Sequence, residues 1–378
     1  LDDSTDQLSD EDRPMQLHLM VRAGRRAAVL PLLLGAVLSA PACAQAPRPA
    51  DAIAAGTFAY DRNAPLQLRD SLESVENGVE THAISFASPR GGRATGLLFV
   101  PGGGERKAGI VNMHGAPGSA RQTAAASAAL ARRGAVVVAV DAPFARRGGD
   151  MLAFTEADSA DHVQLVVDLR RAVDLLLARP DVDSARIAYV GGSFGGAVGT
   201  MFAAVDPRPA AYVLFVPDGG IVSHFTGVDG SFQGPLPEMP AEVRDRWLAA
   251  MRPVEGIGYI ARARAGSILF QNGREDPFVP ADKAALLHRA AGASHTVQWY
   301  ESGHALPAQA RIDRWQFLAD RIGIAAPTDE ERTAAAPAAA AVGAPRPGLI
   351  DRSGESGGGQ GTTTQGRQPR RTPRPAGL

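Results

Sequence analysis

The chain has 378 residues, with 39 Lys and Arg against 40 Asp and Glu, so its net charge is close to zero. That balance excludes the broad basic surface on which nucleic-acid binding depends. The one cysteine, Cys43, leaves no intramolecular disulfide and no cysteine-based metal site. Residues 1–19 are acidic and unpatterned and read as a non-native or disordered leader, with Met15 or Met20 as the true start. Residues 20–44 read as a signal peptide. A basic stretch ends at Arg25 and Arg26, an apolar run covers Ala27 to Leu38, and Ala42-Cys43-Ala44 is a small-x-small cleavage site. The apolar run is too short for a comfortable membrane span. The expectation is an exported protein, periplasmic or extracellular, with no membrane span in the mature form. Lipid anchoring at Cys43 is the lesser alternative, because Ala40 stands where such signals usually carry Leu.

Residues 45–79 are an N-terminal segment, and the fold is expected over 80–326. Thr81–Phe86 and Ala94–Val100 predict a strand pair around a Pro-Arg-Gly-Gly turn. Lys107–Met113 and Gly134–Val140 predict buried strands, with a helix at Ala124–Arg132 between them. Asp161–Ala178 carries apolar residues at helical spacing. Further strands are expected at Arg186–Val190, Ala210–Val216, Gly266–Gln271 and His295–Tyr300, and helices at Ala281–Ala291 and Pro307–Ile322. Alternation of strand and helix after an opening hairpin predicts an α/β fold, a mostly parallel sheet with helices on both faces. Residues 217–264 are too long for an ordinary loop and read as a small cap or lid between the sixth and seventh core strands. The cap holds Phe225, Phe232, Trp247 and Tyr259. Residues 327–378 are rich in Ala and Pro, then Gly, Ser, Thr and Gln, and are expected to be a disordered tail.

The chemistry is written at residues 191–195, Gly-Gly-Ser-Phe-Gly, where a β-branched run meets a small-residue helical run. Gly-x-Ser-x-Gly at such a junction is a nucleophile elbow, with Gly191 and Gly195 clearing space so that Ser193 stands exposed. A serine needs a base, and the base needs an orienting acid. Of the eight histidines, His304 follows the last strand in a short loop, Glu301-Ser-Gly-His-Ala305, before the final helix. Asp276 follows the preceding strand in Gly273-Arg-Glu-Asp-Pro277, with Glu275 as its competitor. Oxyanion donors are expected from the backbone of Phe194 and of Ala116, where Gly115 lets the loop His114-Gly-Ala-Pro-Gly118 come close. His114 reads as a loop-stabilising residue. Arg146 and Arg147 read as solvated, with a carboxylate-bearing substrate as the sharper alternative.

These motifs fall in the order nucleophile, acid, base, and across about residues 80–325 the chain resembles the α/β-hydrolase superfamily. Within it the resemblance is to dienelactone-hydrolase-like and acetyl-esterase-like serine hydrolases, and to the catalytic domain of prolyl-oligopeptidase-type peptidases. Two departures stand out: dienelactone hydrolases proper use cysteine where this chain has Ser193, and no accessory propeller is expected before residue 80. The resemblance implies a serine hydrolase of small-molecule carboxylic esters without metal or cofactor. Amide cleavage, or a binding protein that kept the fold, are the alternatives. Nothing in the pattern sets an oligomeric state.

Overall fold

The computed structural model describes residues 56–336. The expected leader and signal peptide, and the part of the expected tail beyond residue 336, lie outside the described residues. Nine strands build one sheet: β1 Arg69–Glu76, β2 Val79–Ala87, β3 Arg93–Pro101, β4 Lys107–Met113, β5 Ala135–Val140, β6 Val182–Gly192, β7 Ala211–Phe215, β8 Ile268–Gly273 and β9 Thr296–Tyr300. Their order is β1-β2-β3-β5-β4-β6-β7-β8-β9. The first three strands and the β3–β5 pair are antiparallel; every later pair is parallel. Helices on both faces make β4 and β5 buried at every residue, which is why they read as continuous apolar runs.

The helices are α1 Ala124–Arg132, α2 Pro143–Arg147, α3 Ala157–Leu177, α4 Phe194–Val205, α5 Ile221–His224, α6 Ala241–Met251, α7 Ala281–Ala291, α8 Ala308–Ile322 and α9 Asp329–Ala335. Alternation along β4 divides the core. Val111 and Met113 face α3 and α4, while Ala108 and Ile110 face the side carrying Leu130 of α1 and Leu318 of α8. Among the described residues, no helix is long and apolar enough to cross a membrane.

Three expectations need correction. β1 lies in the segment expected to precede the fold. As an edge strand exposed along nearly all its length, it has no buried face to leave a period-two pattern. Counting it places the 217–264 insertion between the seventh and eighth strands. The fold also runs past residue 326. Thr328 and Glu331 close a capping box on α9, and Arg133 pairs with Glu331. The Thr-Asp-Glu-Glu signature was present in an alanine-rich stretch, and it outweighs composition there.

The segment before β1 is pinned to α3. Arg170 donates to the Phe58 carbonyl at 2.6 Å, Arg171 to that of Ala64 at 2.7 Å, and the Tyr60 hydroxyl to Asp174 at 2.9 Å. Arg208 bridges Asp174 and the fully buried Asp206.

The insertion is anchored by its polar groups. Its aromatic residues turn inward: Trp247 is buried, donates to Asp158 at 2.8 Å and packs on Phe154. At its base, Glu255 accepts from the backbone of Val222 at 2.7 Å, the backbone of Ser223 at 3.1 Å and the Ser223 hydroxyl at 3.0 Å. Asp218 accepts from Gly220 and meets His224, and Lys283 of α7 donates to the His224 carbonyl.

Burial pushes the Glu255 carboxyl up from 4.5 to about 7, against the pull of its three donors. The folded chain therefore holds this proton more tightly than the unfolded chain does. Its contribution to stability is full below about pH 4.5 and is lost as pH rises through about 7, on the order of 3 kcal/mol in all. Urea unfolding between pH 4.5 and 8 should show that slope, and Glu255→Gln should flatten it. A variant with the parent's full slope would show that Glu255 does not carry it.

Candidate active site

Ser193 sits at the corner between β6 and α4 with φ 52°, a conformation that favours glycine. Such strain costs about 1–3 kcal/mol and persists only where the surroundings enforce it. Here they do. The Ser193 N–H donates to the Phe215 carbonyl at 2.9 Å, and the Tyr189 hydroxyl donates to the Gly195 carbonyl at 2.6 Å. A Cβ on Gly191 would lie 2.4 Å from the Gly195 oxygen, and one on Gly195 would lie 2.6 Å from the Met113 oxygen. Both elbow glycines are thus fixed by backbone. Gly192, which the motif leaves free, is constrained as well: a Cβ there would fall 2.1 Å from the Phe215 ring.

His304 Nε2 lies 3.0 Å from Ser193 Oγ, and His304 Nδ1 lies 2.7 Å from Asp276 Oδ2. Asp276 Oδ1 accepts the backbone N–H groups of Phe278 at 2.9 Å and Val279 at 3.0 Å. An ionised carboxylate only accepts, so the proton between Asp276 and His304 sits on Nδ1. Nε2 is then the acceptor facing the serine hydroxyl. Asp276 is buried, whereas Glu275 is exposed and meets the base loop only through its backbone, donating to the Ser302 carbonyl at 3.0 Å. A Cβ on Gly273 would lie 2.3 Å from the Ser302 oxygen, so the acid and base loops run in close contact.

The loop after β4 faces the nucleophile from the other side. A Cβ on Gly115 would lie 3.4 Å from Ser193 Cβ, so the backbone here passes close to the serine. Among the described residues, neither the Phe194 N–H nor the Ala116 N–H has a hydrogen-bond partner, which leaves both for a ligand oxygen. His114 is buried. It accepts the Ala142 N–H on Nε2 at 3.0 Å and donates from Nδ1 to the Gly115 carbonyl at 2.6 Å. Burial holds its pKa below the ordinary value, so it is a neutral strut for this loop.

Ser193, His304, Gly115 and Ala116 open into a cleft of about 720 Å³, within the usual span for ligand sites. Its walls are α1 and α8. Residues of the 217–264 insertion do not line it, and the aromatic groups of that insertion serve packing. Arg146 and Arg147 do not line it either: Arg146 pairs with the buried Asp168 at 2.7 Å, and Arg147 pairs with Asp161. Three other arginines do, Arg132, Arg311 and Arg314, and no Asp or Glu is among the lining residues. Arg314 lies 3.9 Å over the Phe215 ring and donates to Gln271 at 3.0 Å. Burial lowers its pKa to about 10, which leaves it charged at neutral pH. It has no carboxylate partner among the described residues. An arginine on an amphipathic helix ordinarily reads as solvated, so no signal in the chain singles this one out.

The sequence model of the dienelactone hydrolase family matches residues 95–340. Among solved structures, an acetyl xylan esterase from Paenibacillus sp. R4 superposes with a TM-score of 0.58 at 19% identity, covering 72% of this chain and 92% of that one. Acetyl xylan esterase 1 from a Thermoanaerobacterium species superposes with a TM-score of 0.56 at 16% identity, covering 72% and 94%. At those identities the likeness is one of fold. No curated protein matches the chain in sequence.

Proposed function

The chain belongs to the dienelactone hydrolase family, which makes it a hydrolase of carboxylic esters, and we propose that it works through an acyl-enzyme on Ser193. The single observation behind this reading is the relay Asp276–His304–Ser193, with links of 2.7 and 3.0 Å. Ser193 Oγ attacks the ester carbonyl while His304 Nε2 takes its proton. Asp276 keeps the imidazole in the required tautomer and stabilises the imidazolium. The oxyanion is met by the N–H groups of Phe194 and Ala116, each such donor being worth about 2.7–4 kcal/mol of barrier. His304 then protonates the departing alkoxide, and a water repeats the sequence to release the acid. Enzyme membership of the family removes the binding-only alternative, and no observation favours amides over esters.

The cleft adds a preference. A mostly buried guanidinium without an acid is costly unless something anionic meets it. With Arg311 and Arg132 in the same walls, the reading extends to esters that carry an anion within reach of Arg314.

Ser193→Ala, His304→Ala and the double variant should each lose at least about 10,000-fold in kcat on p-nitrophenyl acetate, with little further loss in the double. A fluorophosphonate probe should label the parent and not Ser193→Ala. Retained turnover in Ser193→Ala would remove the mechanism. Arg314→Met keeps an apolar contact on Phe215 but removes the charge. It should lower kcat/KM for p-nitrophenyl hemisuccinate relative to p-nitrophenyl butyrate by about 10- to 100-fold. An unchanged ratio would remove the anion preference.

A further inference from the structure

The cleft is far larger than the catalytic groups require. Its volume is about 720 Å³. It lies between α1 and α8, whose residues line its two sides. In the sheet, β4 lies between β5 and β6. Asn112 of β4 and Val190 of β6 form part of the cleft floor, with Phe215 of β7 beside them. Both helices follow loops at the carboxyl edge of the sheet, so both run down its face away from Ser193. On α1 the lining positions are Ala125, Ala126, Ala129, Leu130 and Arg132, spaced as one face of a helix and spanning about 10 Å, with Gln122 and Thr123 in the turn just before it. The middle of that face is alanine, and the side chains opposite, Trp315 and Leu318, are apolar.

We propose that this trough between α1 and α8 is the subsite for an extended apolar limb of the ester, and that Ala126 and Ala129 set its depth. The inference rests on the Ser193 reading and deepens it. The nucleophile stands at the head of the trough, so a limb leaving the reacting carbon has one large apolar space continuous with it. Of the polar lining groups, Gln122, Arg311 and Arg314 occur toward the Ser193 end, where the ester itself would lie, and Arg132 stands at the far end of α1. Leu130 and Leu318 are buried and lie toward the far end. The room exists because α1 carries methyl groups where longer side chains would fill it. A wall without large side chains admits a chain or ring that a filled wall would exclude.

The test is kcat/KM over two series: p-nitrophenyl esters from acetate to decanoate, and acetates of alcohols from methanol to decanol. One series should rise on the order of three- to fourfold per methylene over its first several members, as expected for methylenes leaving water. In Ala126→Phe and Ala129→Phe the ratio of longest to shortest substrate in that series should fall at least tenfold. Ala126 is exposed and Ala129 half-buried on a helix, so both variants are expected to fold. A flat dependence in both series, or ratios unchanged in both variants, would overturn the subsite while leaving acetate turnover and the Ser193 mechanism intact. Loss of turnover on every ester in the parent chain would overturn the Ser193 reading, and this one with it.

Discussion

One buried carboxylate holds the acid loop and the base together. Asp276 spends Oδ1 on the Phe278 and Val279 amides of its own loop and Oδ2 on His304. Burying a charge costs several kcal/mol unless its acceptor sites are filled, and each charge-assisted bond returns about 1.5–3 kcal/mol. The carboxylate is therefore stable only in a loop that is already bent to present those two amides. A loop so bent fixes the direction of Oδ2, and Oδ2 fixes the imidazole. The backbone stitch between this loop and the base loop, Glu275 to Ser302 and Arg274 to Tyr300, removes the remaining freedom. Orientation of His304 is thus a consequence of folding rather than an adjustment made on binding.

The same sheet edge is served from two sides by elements with different duties. The loop after β4 reaches Ser193 and is braced by the neutral His114, which ties it to Ala142 beyond β5. The insertion after β7 is anchored at its base by Glu255, Asp218 and Lys283 and packs its aromatic residues against the start of α3. That division leaves the space between α1 and α8 to receive a ligand. An insertion of this length invites the reading of a lid. Its buried Trp247 and satisfied carboxylates describe a fixed buttress, and the ligand space opens on the opposite helical layer.

Much of this was legible in the chain. The elbow, the acid and the base are each announced by residues whose types have few other uses at those junctions: paired glycines around a serine, an aspartate before proline after a strand, a histidine in a short loop before the last helix. The central strands were legible because burial on both faces writes a continuous apolar run. β1 was not, because an edge strand held by its backbone ladder needs no hydrophobic face. α9 was masked by alanine-rich composition although its capping box stood in plain sight. Arg314 was illegible for a different reason: a sequence shows that an arginine lies on a helix, but whether a carboxylate meets it is decided by residues more than forty positions away, here Phe215 and Gln271.

Those two residues connect the nucleophile to the wall of the cleft. The Phe215 carbonyl takes the Ser193 amide, its ring fills the space that a side chain at position 192 would need, and the other side of that environment is the Arg314 guanidinium. Gln271 holds Arg314 in turn, and its amide nitrogen lies within hydrogen-bond distance of Gln298, Tyr300 and the Ala310 carbonyl at the start of α8. A core packed at crystal density passes a displacement on instead of absorbing it. The strained φ of Ser193, the glycine at 192 and the placement of an arginine on α8 are therefore parts of one packing arrangement. A change at Phe215 would reach the elbow and the cleft wall together.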